Sequence, residues 1–367
     1  MIENKVYKNI FEAIKAIDPG NTVLEAFKTY HNTRGGISPL KLNHNYAEIK
    51  LSNGKTSYIT NPHTFIFLRG ENKFYKTCQA SIFRERDLSK EKDNLLFMID
   101  EIKILDFIDI IKDFPQIKYC ERHNYYINYI ALAQHYGLNT NYIDLTSDLI
   151  AAAFFATHKY SKGKYAPIIE GNGYLKGYIF PNNEDSFYKM RLIGLQPFLR
   201  PGHQNAFAYE CTQNDDLNKK LQFCVSFKQD LINDYLFTKL FEGPKKGFEK
   251  EWPRIYENPL FPDEAEIIEV ANRIKKSNTI TLKNTYNYCI NKQYDYKVFL
   301  KQINKRGDFT TENAIYTLDK EKELELKLQM NNKPFGDINI FSVDNFPIDR
   351  TRKITWPIND SKKLNFN

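Results

Sequence analysis

The stretch ALAQHYGLNTNYIDLTSDLIAAAFFA, residues 131–156, most constrains what this chain can become. Its two ends are apolar and helix-forming and its middle is polar, so two helices must meet at a corner dense in hydrogen-bonding side chains. Gln134, His135 and Tyr136 fall in the last turn of the first helix, just before Gly137, which is placed to stop it. Asp144 and Thr146 fall in the connection. Ser147 is positioned to cap the second helix, whose Ala151, Ala152 and Ala153 permit close packing. A purely structural reading accounts for the corner as well: His135 donates to a helix C-terminal carbonyl, and Asp144 accepts from the backbone N–H of Ser147 or Asp148.

The flanking segments alternate between the two periodicities. Phe65–Leu68 reads as a core strand that ends at Arg69-Gly70, and Asn53-Gly54 between two alternating runs predicts a hairpin. GYLKGYIF and QFCVSF read as further strands. Helical spacing appears in Ile10, Ala13, Ile14 and Ile17, and again in Leu95, Ile99 and Ile102 within 89–112, where Ser89 is the N-cap candidate. Further helices are expected near 122–136, 227–241 and 263–276. From about residue 305 the chain turns Asn/Lys/Asp-rich with weak periodicity, as a loosely attached extension would.

With 367 residues and 42% hydrophobic content, one main domain with flanks is expected. Five widely spaced cysteines without a CxxC pair point to a reducing compartment and no metal site. No apolar stretch reaches bilayer length, so a cytoplasmic protein without a membrane partner is expected. A net charge of +7 permits an anionic ligand or nucleic acid without demanding either. The run 272–307 interleaves Lys and Arg with Tyr and Phe. Its tyrosines are placed either to stack on bases or to fill a core under a solvated basic face. Arg34-Gly35-Gly36 lacks the Gly-Lys-Ser/Thr of a phosphate loop.

Arg69-Gly70 after Phe67-Leu68, then Tyr75, Ser81-Ile82-Phe83-Arg84 and the segment AQHYGLNTNYIDLTSDLIAAAFFAT together resemble the FRG domain. That family is named for a Phe-Arg-Gly signature and marked by Ala-Gln-His-Tyr-Gly-Leu followed by Asp and Thr. RPGHQNAFAY, residues 200–209, resembles a third element, and the resemblance spans roughly residues 60–210. Four positions depart from the pattern. Leu68 separates Phe67 from Arg69, Asn141 replaces a basic residue, Leu145 replaces a frequent Trp, and Asn205 takes the Gly position after Gln204. The last is tolerable because Asn accepts a positive φ.

The FRG family in turn resembles ADP-ribosyltransferases. The implied fold is α+β, an ADP-ribosyltransferase-like split-sheet core surrounded by helices, with a mainly helical C-terminal extension. The implied division is 1–60, a helix and hairpin joined to the core; 60–240, the FRG domain; and 241–367, the extension. The implied substrate is NAD, cleaved between nicotinamide and ribose by a transferase or glycohydrolase of the toxin or anti-phage kind, with a protein or nucleic-acid acceptor left open.

The resemblance makes Arg69, Gly70, Ser81, Arg84 and Asp144 the cofactor-binding set. A guanidinium suits position 69 because its planar fork pairs with phosphate or ribose oxygens in two directions. His135 and Tyr136 are the implied catalytic residues at the nicotinamide end, and Gln204 at the ribose hydroxyl, with Glu210 as the carboxylate if the register differs. Many ADP-ribosyltransferases carry Glu where Gln204 stands, so a non-catalytic nucleotide- or nucleic-acid-sensing module stays open beside the enzyme. Either way, the Arg69, His135 and Gln204 side chains are expected to converge on one cleft.

Overall fold

The computed structural model describes residues 2–18, 45–50, 54–60, 66–161, 164–180, 185, 189–241, 264–316, 318, 320–330 and 339–341. Its first elements are β1 (Ile2–Tyr7), α1 (Ile10–Ile17), β2 (Asn45–Lys50), β3 (Thr56–Thr60), β4 (Ile66–Glu71), α2 (Glu91–Ile111), α3 (Pro115–Arg122) and α4 (Tyr129–His135). They continue with β5 (Tyr142–Thr146), α5 (Leu149–Thr157), β6 (His158–Ser161), β7 (Lys164–Pro167), β8 (Asn172–Ile179), β9 (Met190–Leu192), α6 (Leu199–His203), β10 (Ala206–Glu210) and β11 (Leu221–Lys228). Last come α7 (Leu231–Phe241), α8 (Ala265–Lys276), β12 (Thr279–Thr281), α9 (Leu282–Lys292), α10 (Tyr296–Arg306), β13 (Thr310–Glu312), α11 (Lys320–Met330) and β14 (Asn339–Phe341). The architecture is mixed α/β. Among the described residues, no helix is long and apolar enough to cross a membrane.

Seven strands form one mixed sheet in the order β1-β11-β8-β4-β5-β10-β9. β4 pairs with β8 over six rungs and β5 with β10 over five, yet β4 meets β5 at the single rung Leu68–Thr146. That seam divides the sheet into a four-stranded and a three-stranded part, and the candidate site grows around it.

On one face, α1, α5 and α7 cover Leu68, Leu175, Val225 and Phe227. The alanines expected to permit close packing do so: Ala151, Ala152, Ala153 and Ala156 are fully buried. Their counterpart is Gly70, where an added Cβ would lie 1.7 Å from the Ala152 carbonyl oxygen. The other face buries Phe67, Ile143, Leu145, Tyr178, Phe207 and Tyr209 beneath the Cys78–Phe83 segment.

α2 is the spine of the helical layer. Its C-terminal half packs with α3, α4 and α8, and its N-terminal half with α9 and α10. Two buried polar stitches fix that packing. Asp106 accepts from the Thr281 hydroxyl at 2.5 Å and from Asn284 at 2.9 Å, and Lys103 donates to the Ser277 carbonyl at 2.6 Å.

Several local expectations change. The strand through Ile66–Leu68 does not end at Arg69-Gly70 but runs on to Glu71, because β8 continues to supply backbone partners. The helix read at 122–136 is confined to α4, because α3 already ends at Arg122. Asn124 turns left-handed at φ 58°, and the Tyr126 N–H donates to the Thr56 carbonyl at 2.7 Å, so pairing with β3 displaces the helical bond. Ser89 does not cap α2, its hydroxyl being taken by Asp87 at 2.6 Å. Asp148, not Ser147, caps α5, accepting from Ile150 and Ala151. The hairpin does form between β2 and β3, with Gly54 at φ +79°. Asn53, Phe65 and Arg34-Gly35-Gly36 lie outside the described residues.

Candidate functional site

The site starts from a backbone shortfall. Beyond the Leu68–Thr146 rung, β4 and β5 no longer pair, so the Asp144 carbonyl needs another donor. Arg69 supplies it: Nη1 donates to that carbonyl at 2.8 Å, and Nε donates to Glu71 Oε1 at 3.2 Å. Arg69 and Glu71 share a face because strand side chains alternate, and Lys176 stands across from Arg69 in the β4–β8 register. The fully buried Lys176 ammonium pairs with Glu71 Oε2 at 2.5 Å and donates to Asn218 at 2.9 Å. Burial opposes the charge on Arg69, but Cys78, Glu71, Tyr178 and Asp144 outweigh it and raise its pKa further, so the guanidinium stays charged. Two of its nitrogens, Nη1 and Nε, are engaged in these bonds.

A cleft of about 210 Å³ opens beside this network, lined by Arg69, Glu71, Tyr75, Arg84, Phe155 and Tyr165 among others. That is below the roughly 300–1,000 Å³ usual for small-molecule pockets, so it can enclose only part of a larger molecule. Gly70 and His158 also border it. Two guanidinium-bearing residues and several aromatic rings in one cleft combine charge for phosphate with flat faces for a ring.

On the far side of the seam, the helix-terminal corner converges on the Asp144 side chain. Gln134 donates to Asp144 Oδ2 at 3.1 Å and accepts from the Thr140 hydroxyl at 2.5 Å. His135 Nε2 and Asp144 Oδ1 face one another at 4.0 Å, and neither atom has a hydrogen-bond partner among the described residues. The Gln204 side chain lies close enough to the imidazole to pull its pKa upward. Burial holds the His135 pKa below its ordinary value against the pull of Asp144, so the ring is neutral at neutral pH. Only 3% of the His135 side chain is exposed, against 38% for Asp144.

Beneath this lies a second layer. Arg200 donates to the His135 carbonyl at 3.0 Å and stacks over the Tyr136 ring at 4.7 Å. The Tyr136 hydroxyl donates to Glu264, whose other oxygen accepts from the Leu199 N–H at 2.6 Å. Burial raises the Glu264 carboxyl pKa.

The residues singled out from sequence therefore divide. Arg69, Gly70 and Arg84 line the cleft, and Arg69 joins it to Asp144. Asp144 lies on β5, not in a turn, and does not satisfy the N–H groups of Ser147 or Asp148, which donate to the Asn205 carbonyl and the Thr146 hydroxyl. His135 and Gln204 meet behind Asp144, and Tyr136 sits deeper. Gln204 and Tyr136 are 4% and 6% exposed, so no ligand in the cleft touches either as the chain stands. Ser81 does not line the cleft; its hydroxyl accepts from the Thr140 N–H at 3.1 Å, and Thr140 in turn donates to Gln134. Glu210 is remote from the cluster, paired with Arg191 and Asn141 at the far end of β10.

Sequence reasoning left out Glu71, Lys176, Phe155 and Tyr165. The Arg-Gly-Glu alternation was the available signal for Glu71. Nothing local marks Lys176, which matters only through strand register.

Residues 64–164 match the family model described as FRG domain, and the chain accordingly carries an FRG domain. The match ends within β7, so β1, β8, β9, β10 and β11, which complete the sheet around β4 and β5, lie outside it. No curated protein and no solved structure matches the chain.

Proposed function

We propose that the FRG domain binds the phosphate-bearing part of NAD in the Arg69 cleft and cleaves the nicotinamide–ribose bond, as an ADP-ribosyltransferase or NAD glycohydrolase on an ADP-ribosyltransferase-like core. One observation carries this reading. Arg69 lines the cleft and also holds the backbone of Asp144, so a cation for phosphate and a carboxylate for a developing positive charge adjoin through one side chain.

In the reaction, the bond between the ribose anomeric carbon and the nicotinamide nitrogen breaks, and its electron pair leaves with neutral nicotinamide. Water or an acceptor nucleophile captures the ribosyl cation and releases a proton. Asp144 takes the electrostatic role that the resemblance assigned to Gln204, because Asp144 is the exposed acidic member of the cluster. Gln134 fixes one carboxylate oxygen. His135, kept neutral by burial, adds no positive charge beside Asp144, and Gln204 adjoins the imidazole. Both act here as positioning residues.

Nicotinamide release from NAD by the purified full chain tests the reading. The parent should release nicotinamide, and Asp144→Asn should lower the rate by about 100-fold or more, the scale of losing one electrostatic stabiliser. A parent that binds ADP-ribose but releases no nicotinamide contradicts cleavage and supports the second reading, a nucleotide-sensing module. The burial of His135, Gln204 and Tyr136 favours that alternative.

A further inference from the structure

The cleft does not account for the helical pair α9–α10. Neither helix contains a single Asp or Glu, while together they carry Lys283, Lys292, Lys297, Lys301, Lys305 and Arg306. Three of these are tied down, Lys283 by Asp109, Lys292 by Glu101 and Arg306 by Asp308. Lys297, Lys301 and Lys305 are exposed and have no ion pair among the described residues. At i, i+4 and i+8 they form one stripe along α10. Phe299 and Ile303 anchor the opposite side of the helix in the core shared with α2.

A solvated helix face usually mixes both signs of charge and keeps large apolar groups few. Here Tyr286 is 51% exposed, Ile290 57%, Tyr294 45% and Val298 54%. Tyr286 and Ile290 are one helical turn apart on α9, and the Tyr286 ring meets Tyr296, at the start of α10, edge-on at 5.3 Å. Tyr294 sits in the turn between the helices, after Gln293 at φ 57°. Exposed rings therefore adjoin a lysine row, on a base held to α2 by the hydrogen bonds of buried Asp106 and Lys103.

We propose that the α9–α10 pair is a docking surface for single-stranded nucleic acid, with Lys297, Lys301 and Lys305 meeting phosphates and Tyr286 and Tyr294 stacking on bases. Within the two helices there is no acidic residue, Asp295 standing only as the N-cap of α10, and this excess of positive charge supplies the complementarity. The exposed rings favour a single strand, because bases of a duplex are already stacked on one another. The surface is separate from the Arg69 cleft and does not depend on the chemistry proposed there.

Fluorescence anisotropy of a labelled mixed-sequence single strand, titrated with the full chain over a range of salt, tests this. The parent should bind with affinity that falls as salt rises. Lys297→Gln/Lys301→Gln/Lys305→Gln should flatten the log–log salt slope by about 2, since each phosphate of a single strand that is no longer neutralised removes about 0.7. Tyr286→Ala/Tyr294→Ala should weaken binding about tenfold or more with the slope unchanged. Excess ADP-ribose should not displace the strand.

No binding at low salt, displacement by ADP-ribose, tighter binding of the matching duplex, or equal binding to phosphatidylserine vesicles would each overturn the proposal. So would a salt slope unaltered in the lysine variant. Thermal melting accompanies each variant. Should the tyrosine variant unfold, the lysine variant decides alone, since its three side chains stand in solvent.

Discussion

Lys176 and Lys301 both project from regular elements, yet one is fully buried against Glu71 and the other is exposed with no ion pair among the described residues. The two regions around them follow opposite plans. At the sheet seam, Arg69, Glu71, Lys176, Asn218 and Asp144 interlock, so the groups that shape the cleft also hold the sheet. On α10 the three lysines of the stripe make no ion pair among the described residues. A buried charge that loses its partner is left desolvated, whereas an exposed one is left hydrated. Stability and binding should therefore be coupled in the first region and independent in the second.

The largest effect is expected at Lys176. Lys176→Met leaves the Glu71 carboxylate, 3% exposed, with Arg69 as its remaining cation, and should cost about 1.5–3 kcal/mol in urea unfolding. A cost under about 1 kcal/mol would mean that the pair is effectively solvated and the contrast with α10 collapses. Next is Gly70→Ala, whose new Cβ meets backbone of α5 and not a side chain that can swing away. Overpacking of this kind costs about 1–3 kcal/mol, readable as a lowered melting temperature, and an unchanged melting temperature would show that α5 can retreat from β4 freely.

A subtler effect is expected in acid. The folded-state pKa values of His135 and His158 are both depressed from 6.5, with burial the largest cause. Each contributes stability that is complete above its unfolded value and is lost as pH falls from there through the depressed folded value. Melting temperatures measured from about pH 8 down to about pH 5 should fall less steeply in His135→Asn than in the parent. Comparing the two curves cancels the opposite trend of Asp106, Asp148 and Glu264, whose raised carboxyl pKa values make stability decline as pH rises through them. Parallel curves would show that the ring is not held neutral by its surroundings. The smallest effect is expected for Lys301→Gln, within about 0.5 kcal/mol of the parent in stability. A larger loss would make α10 a structural face like the seam.

What the sequence disclosed follows the same division between local and distant causes. The end of α4 at His135, the stop at Gly137, and strands β8 and β11 were legible because capping and alternation are local properties. Asp144 reads as a turn residue in sequence because Asp disfavours strands; the five rungs to β10 that override this come from more than sixty residues away. Arg69 looks like the end of a strand because only the seam with β5 reveals why a guanidinium belongs inside one. The meeting of His135 with Gln204 follows from the motifs. Their burial beneath Asp144 depends on where α6 and α8 pack, which no nearby residue announces.

Calorimetric titration of ADP-ribose into the parent and into Arg69→Lys tests the central claim most directly, that a cleft built on the Arg69 seam takes a nucleotide. The parent should bind. Lys can keep one of the hydrogen bonds that Arg69 makes but not the fork, and one charged hydrogen bond is worth about 1.5–3 kcal/mol, so affinity should fall about tenfold or more. Arg84→Gln, at an exposed position on the same cleft, should weaken binding without lowering the melting temperature. It decides the matter should Arg69→Lys fail to fold. A parent that takes up no ADP-ribose, or binding unchanged in both variants, would contradict the account and leave Arg69 as a clamp for the Asp144 carbonyl alone.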